Sequence, residues 1–297
     1  MAKIDLHGIF PPIPTPFSAG KVAYDKLAFN VEKWNRTGLK GFVVLGSNGE
    51  YVYLSEEEKR AIVDIVVQAA ADEMLIIAGT GCESTAETLR LTEDCARLGA
   101  RAALVVTPHY YGGRMKEAAL MKHFSELADH SPIPILIYNV PKFTHINLAA
   151  ELVARLSGHP NIIGIKDSSG NVIQLGEILN GVARDFNVLV GTAGVLFSGL
   201  TIGCGGGVCA LANVAPEECV KIFDLVKAGD LNAARELQLK MLPVNQALTS
   251  VYGVPGLKAA MDMLGYFGGD PRLPLLPASE LERSEIKNIL TKADLLK

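Results

Sequence analysis

The sequence predicts a (β/α)8 TIM barrel with a C-terminal helical extension, and three observations carry that prediction. Eight short apolar runs recur along the chain, each followed by turn residues and then by a stretch of helical periodicity. Several runs are continuous rather than alternating, as in strands buried on both faces of a parallel sheet. The chain has 297 residues, 49% of them hydrophobic, enough for so large a core. A doubly wound open sheet, the runner-up, usually stops at fewer repeats. Residues 1–225 are assigned to the barrel and 226–297 to a helical extension of the same domain.

Each element has its own warrant. Residues 8–13 form the first strand and 24–37 the first helix, with Gly38 just past its end. Residues 41–45 form the second strand and run into Gly46-Ser47-Asn48-Gly49-Glu50. Ser55 with Glu58 is a capping box that starts the next helix. Residues 75–78 form the third strand, followed by Gly79-Thr80-Gly81 and a second expected capping box, Ser84 with Glu87. Residues 102–106 form the fourth, leading into Thr107-Pro108-His109-Tyr110-Tyr111-Gly112-Gly113. Residues 133–138 form the fifth, which ends at Asn139-Val140-Pro141. Ile162, Ile163 and Ile165 build the sixth, which ends on Lys166 and the polar turn beyond it. Residues 187–190 form the seventh, followed by Gly191-Thr192-Ala193-Gly194. Residues 206–210 form the eighth, with Pro216 near the start of its helix. Residues 230–242, 256–263 and 279–296 read as extra helices beyond the barrel.

Bulk properties exclude several classes of function. A net charge of −4 gives no basic footprint for nucleic acid. Five cysteines, an odd count without a Cys-x-x-Cys pair, argue against a disulfide framework or structural zinc and for reduced thiols in the cytoplasm. The N-terminal stretch is broken by prolines and does not read as a secretory signal. Residues 188–216 carry no charge, but glycines and Pro216 interrupt them, so barrel core explains them better than a membrane span. The histidines form no close ligand pair, so no metal is expected. Gly203, Gly205, Gly206 and Gly207 precede a strand, the wrong context for a phosphate loop, and read as close packing.

In such a barrel, reactive groups gather at the C-terminal ends of the strands. Ser47, Tyr110, Tyr111, Tyr138 and Lys166 are the reactive side chains expected there. Strands five and six are adjacent, so Tyr138 and Lys166 would stand side by side. A strand-end lysine commonly snorkels to water. One kept dry has its charged form disfavoured and becomes a nucleophile. An amine beside a phenol suits imine chemistry, in which the phenol relays protons to and from the carbinolamine. The turn at 46–49, with Ser47, Asn48 and backbone N–H groups, could hold a carboxylate. Plainer readings stand beside these: Tyr138 as packing, Ser47 and Asn48 as turn formers, Glu50 as an acceptor for turn or helix N–H groups.

Gly46-Ser47-Asn48-Gly49-Glu50, Tyr138-Asn139-Val140-Pro141 and Ile163-Gly164-Ile165-Lys166-Asp167 resemble the signatures of the dihydrodipicolinate synthase / N-acetylneuraminate lyase superfamily, over nearly the whole chain. The resemblance implies class I, Schiff-base chemistry on pyruvate or another small 2-oxo acid, without a cofactor. Lys166 would be the imine lysine and Tyr138 the proton shuttle, with a relay through Ser47 and Tyr110. Tyr110 would be lent across a dimer interface, in what is commonly a homotetramer, a dimer of dimers. Ser47, Asn48, Ser168, Gly191 and Cys209 are the residues expected to bind substrate.

Further motifs are similar to the 4-hydroxy-2-oxoglutarate aldolase branch: Gly81-Cys82-Glu83-Ser84-Thr85, Tyr110-Tyr111-Gly112-Gly113-Arg114-Met115, Lys166-Asp167-Ser168, Gly207-Val208-Cys209-Ala210-Leu211-Ala212-Asn213 and Tyr252-Gly253-Val254-Pro255-Gly256-Leu257-Lys258. They imply cleavage of 4-hydroxy-2-oxoglutarate to pyruvate and glyoxylate. A 2-oxo-3-deoxy sugar-acid aldolase or dehydratase and a 4-hydroxy-tetrahydrodipicolinate synthase are the alternatives on this scaffold. The synthase carries an arginine for its second substrate's carboxylate where this chain has Phe143, and Thr144-His145 stands for the family's Thr-Gly. Lys142 and His145 are either distal-pocket residues or exposed loop positions. A rival of another class, a non-catalytic oxo-acid binder, has no need of an imine lysine.

Overall fold

The computed structural model describes residues 4–296. Eight parallel strands form one sheet: β1 Gly8–Phe10, β2 Gly41–Val44, β3 Leu75–Gly79, β4 Ala102–Val106, β5 Ile135–Asn139, β6 Ile162–Asp167, β7 Asn187–Val190 and β8 Gly206–Val208. Each of β2 to β7 pairs with the next in chain order, and β8 pairs with β1. Beyond the end of β1, Val43 N–H donates to the Pro11 carbonyl (3.0 Å) and Ile13 N–H to the Val43 carbonyl (2.9 Å). Those bonds tie β1 to β2 and close the barrel. The expected TIM barrel is therefore the observed fold.

Alternation along the strands sorts the core into two layers. Phe10, Val43, Ile77, Leu104, Leu136 and Leu189 fill the barrel. Phe42, Val44, Val105, Ile137, Ile165 and Val190 face the other way, under the helices. At the β1–β8 seam a Cβ on Gly206 would lie 2.0 Å from the Gly8 carbonyl oxygen, so glycine is needed there for close approach rather than for anion binding.

The surrounding helices are α1 Tyr24–Trp34, α2 Glu56–Ala69, α3 Thr85–Arg97, α4 Glu117–His130, α5 Ala150–Leu156, α6 Val172–Gly181, α7 Leu196–Thr201 and α8 Pro216–Ala228. The Ser55–Glu58 capping box is present at α2. At α3 half of the expected box is missing. Ser84 accepts from Glu87 N–H, but the Glu87 carboxylate turns to Arg90 instead. The uncharged stretch at 188–216 resolves into β7, a 3-10 turn Ala193–Val195, α7 and β8. Among the described residues no helix is long and apolar enough to cross a membrane.

The extension comprises α9 Leu231–Gln246, α10 Gly253–Met263 and α11 Glu280–Lys292, with a π-helical segment Ala247–Val251 between the first two. The expectation stopped α9 at residue 242, yet the helix runs through Pro243. That proline is on an exposed face, where water can satisfy the carbonyl its missing N–H leaves free.

Candidate active site

The β5–β6 register pairs Tyr138 with Lys166 and Asn139 with Asp167. It depends on an irregularity lower down: Ile135 pairs with Ile162 but Leu136 pairs with Gly164, leaving Ile163 as an extra residue. Lys166 follows outward-facing Ile165 and therefore points into the barrel mouth, where it is 3% exposed. Its ammonium lies 4.0 Å from the centre of the Tyr138 ring. Among the described residues it has no ion pair and no hydrogen bond. Ser47 Oγ is 3.5 Å from the Tyr138 hydroxyl oxygen, so the structure brings Ser47, Tyr138 and Lys166 together.

Asp167 faces the other way. Its buried carboxylate accepts from Asn139 Nδ2 (2.6 Å), Gln174 Nε2 (3.0 Å), Ser169 N–H (3.0 Å) and the Ser169 hydroxyl. These donors satisfy the charge and fasten the top of β6 to β5 and α6. The lysine is thus held by a rigid polar network behind it, with no carboxylate of that network in front.

The turn at 46–50 is strained and clamped. Leu45 and Glu50, both with a side chain at Cβ, take left-handed backbone angles, φ 60° and 54°. Glu50 is also a buried ion pair's anion: Oε1 lies 2.5 Å from Lys258 Nζ, and both side chains are 1% exposed. Its Oε2 accepts from Arg272 N–H at 2.8 Å. Glu50 thus accepts an N–H from far along the chain rather than from its own turn or the start of α2, where the sequence reading places its donors. Lys258 and Arg272, however, were not picked out from the sequence. Lys258 also donates to the Asp270 carbonyl (3.0 Å) and lies 4.5 Å from the Phe17 ring. Burial pulls its pKa down while the Glu50 charge pulls the other way. Arg272 in turn makes two 2.7 Å bonds to Glu58, at the start of α2. The signal for Lys258 was a lysine closing the otherwise uncharged 252–258 motif.

Ser47, Asn48, Tyr138, Lys166, Ser168 and Gly191 line one cavity of about 800 Å³. A Cβ on Gly191 would lie 2.0 Å from Ser168 Oγ, so the glycine makes room for that hydroxyl. Tyr51 also borders the cavity and was missed by the sequence reading; burial pushes its pKa up to about 12, with Tyr138 acting in the same direction. Cys209 lies elsewhere: it is fully buried outside the cavity lining, its thiol directed at the Val190 carbonyl (3.8 Å). Burial pushes that thiol up to about 12 against the pull of Lys166.

Tyr110 is not brought to the cavity wall. It is 75% exposed and packs edge-on against Tyr111, 71% exposed, with ring centres 5.0 Å apart. Glu83 holds this loop by accepting from His109 N–H (3.0 Å) and Tyr110 N–H (2.8 Å). Of the loop after β5, Lys142 and Phe143 line the cavity, whereas His145 is exposed outside it. No group of three or more metal-ligating side chains occurs among the described residues.

A buried amine, a phenol and a hydroxyl at one strand-end cluster can form an imine with a ketone and move the protons that its formation requires. The comparisons with known proteins agree in kind. Residues 5–293 match the family described as the dihydrodipicolinate synthetase family. A 4-hydroxy-tetrahydrodipicolinate synthase of Methanothrix thermoacetophila is 39% identical over 288 residues, 96% of each chain. The crystal structure of dihydrodipicolinate synthase from Thermotoga maritima superposes with a TM-score of 0.95 at 29% identity, covering 99% of this chain and 100% of that one. A prophage protein of the dihydrodipicolinic acid synthase family from E. coli K12, solved in complex with pyruvate, gives 0.92 at 29% identity, over 98% and 99%.

Proposed function

Because this chain belongs to the dihydrodipicolinate synthetase family, we propose that Lys166 binds pyruvate as an imine and that the enzyme makes or breaks a carbon–carbon bond at pyruvate C3. It is a pyruvate-dependent class I lyase. In the proposed cycle the Lys166 amine adds to the C2 carbonyl. Tyr138 delivers a proton to the carbinolamine hydroxyl, which leaves as water. Loss of a C3 proton then gives an enamine. Its C3 attacks the carbonyl carbon of an aldehyde, and water releases the product; cleavage is the same sequence reversed. The pairing of Tyr138 with Lys166 at adjacent strand ends carries this reading. Ser47 extends the proton path, and the 46–48 turn offers N–H and hydroxyl donors to the pyruvate carboxylate. The exposed Tyr110–Tyr111 pair supports an assembly in which another copy covers it, as in the expected homotetramer. Borohydride with pyruvate should inactivate the enzyme and leave reduced pyruvate on Lys166; mass spectrometry placing it elsewhere, or nowhere, sinks the proposal.

For the aldehyde, the name carried by the curated relatives supports condensation of pyruvate with aspartate semialdehyde to 4-hydroxy-tetrahydrodipicolinate. A second reading, cleavage of 4-hydroxy-2-oxoglutarate to pyruvate and glyoxylate, is favoured by Phe143, which cannot supply the synthase's cation. The two assays on one preparation decide between them by which runs faster.

A further inference from the structure

We propose that Lys258, in the C-terminal extension, is a positioning residue for the pyruvate carboxylate: by gripping Glu50 it fixes the 46–50 turn in the shape that holds that group. This rests on the imine reading above and deepens it. The turn does not hold its shape unaided. Leu45 and Glu50, on either side of 46–49, both take left-handed backbone angles, which a residue with a side chain keeps only where contacts elsewhere enforce it. At one end the Thr15 hydroxyl donates to the Gly49 carbonyl at 2.7 Å. The other end is gripped from far along the chain, with Lys258 on one Glu50 oxygen and Arg272 N–H on the other. Both partners are themselves anchored. Lys258 donates to the Asp270 carbonyl and lies 4.5 Å from the Phe17 ring. Arg272 lies 4.4 Å from the same ring and donates to the Tyr53 and Gly20 carbonyls, both at 2.9 Å.

The grip matters because Ser47, Asn48 and Glu50 line the same cavity. Released from Lys258, Glu50 would bring a negative charge to the wall where the pyruvate carboxylate sits, and the turn could relax out of its left-handed geometry. With the pair made, that charge is cancelled inside the protein and the donors of the 46–48 turn keep their aim. Filling space does not require an ion pair, since apolar residues of similar volume stabilise a core at least as well. What the pair adds is a fixed direction at the residue that ends the turn. The extension is thereby part of the site, although Lys258 touches no substrate.

The test needs no knowledge of the physiological aldehyde. Borohydride trapping is titrated with pyruvate and with pyruvamide, which keeps the ketone and the size but lacks the charge. The wild-type enzyme should trap pyruvate at roughly 10-fold lower concentration than pyruvamide. Lys258→Met combined with Glu50→Gln strands no charge, so its preference reports the turn alone. In that folded double variant the preference should drop to about two-fold or less, with pyruvamide still trapped near its wild-type concentration. Lys258→Met alone should lose at least as much, because the stranded carboxylate also repels the anion. A double variant that keeps the wild-type preference, or that loses both ketones alike, overturns the inference and leaves the imine reading intact. So does a wild type that traps both ketones on Lys166 at equal concentration. Failure to trap pyruvate on Lys166 overturns the imine reading and this inference with it.

Discussion

Lys166 and Lys258 are 3% and 1% exposed, and each ammonium lies over an aromatic ring, Tyr138 at 4.0 Å and Phe17 at 4.5 Å. Their other neighbours differ. Lys258, on α10, has a carboxylate at 2.5 Å and a carbonyl at 3.0 Å. Lys166, at the end of β6, has neither among the described residues, and its neighbour Asp167 is turned away into its own network. A paired amine is occupied and holds structure; an unpaired one at a cavity wall is free to react. Burial alone distinguishes nothing here, and the partner does.

The same substitution at both sites sharpens this contrast most. Lys166→Met should lower kcat by more than about 10⁴-fold, as expected for loss of a covalent nucleophile. Its denaturation midpoint should hold or rise, because no buried partner is left uncompensated. Steady-state kinetics beside a urea titration reads both. Surviving activity breaks the comparison on the Lys166 side.

Lys258→Met should do the reverse and cost stability first, about 3–5 kcal/mol, because it strands the Glu50 carboxylate in the interior. Adding Glu50→Gln to that variant should recover a large part of the loss. Equal stability of the single variant and the wild type in denaturant would show that the pair is not holding the turn.

Tyr138→Phe keeps the ring beneath the Lys166 ammonium and removes the hydroxyl 3.5 Å from Ser47. The expected fall in kcat is about 10²-fold, with little change in melting temperature. A near-native kcat would reduce Tyr138 to packing.

A third buried base gives the smallest effect and a pH signature. Burial lowers the pKa of His123 from 6.5 to about 4, so the unfolded chain binds its proton first. The stabilisation is complete above pH 6.5 and is lost as pH falls toward 4. At pH 5 the loss is about 2 kcal/mol. His123→Gln should flatten that slope in equilibrium unfolding followed from pH 7 to pH 5; an unaltered slope would assign it to other groups.

The barrel was legible because each apolar run ends abruptly at turn residues, and Lys166 and Tyr138 were legible as the groups on which two adjacent runs end. The pairing of Glu50 with Lys258 was not, since nothing local to either residue names a partner so far along the chain. Cys209 shows the limit of reading strand ends: alternation there turns the thiol into the packed layer between β7 and the helices, not into the cavity. Tyr110 was reached through resemblance, and one chain alone leaves its ring outside the cavity lining. The run of α9 through Pro243 was hidden because proline stops a helix only where its lost bond cannot be replaced.

The extra residue at Ile163 works as a spacer. Below it, Ile135 N–H donates to the Asn161 carbonyl (2.8 Å); above it, Ser168 N–H donates to the Asn139 carbonyl (2.8 Å). Between these two anchorages β6 carries one residue more than β5. That extra residue sets Lys166 opposite Tyr138: without it the upper half of β6 would shift by one step and Lys166 would turn out of the mouth. An insertion or deletion between Gly164 and Lys166 would do the same, because one step along a strand reverses the face of every side chain beyond it. The lower half of the strand sets the offset, and the upper half must then be counted residue by residue.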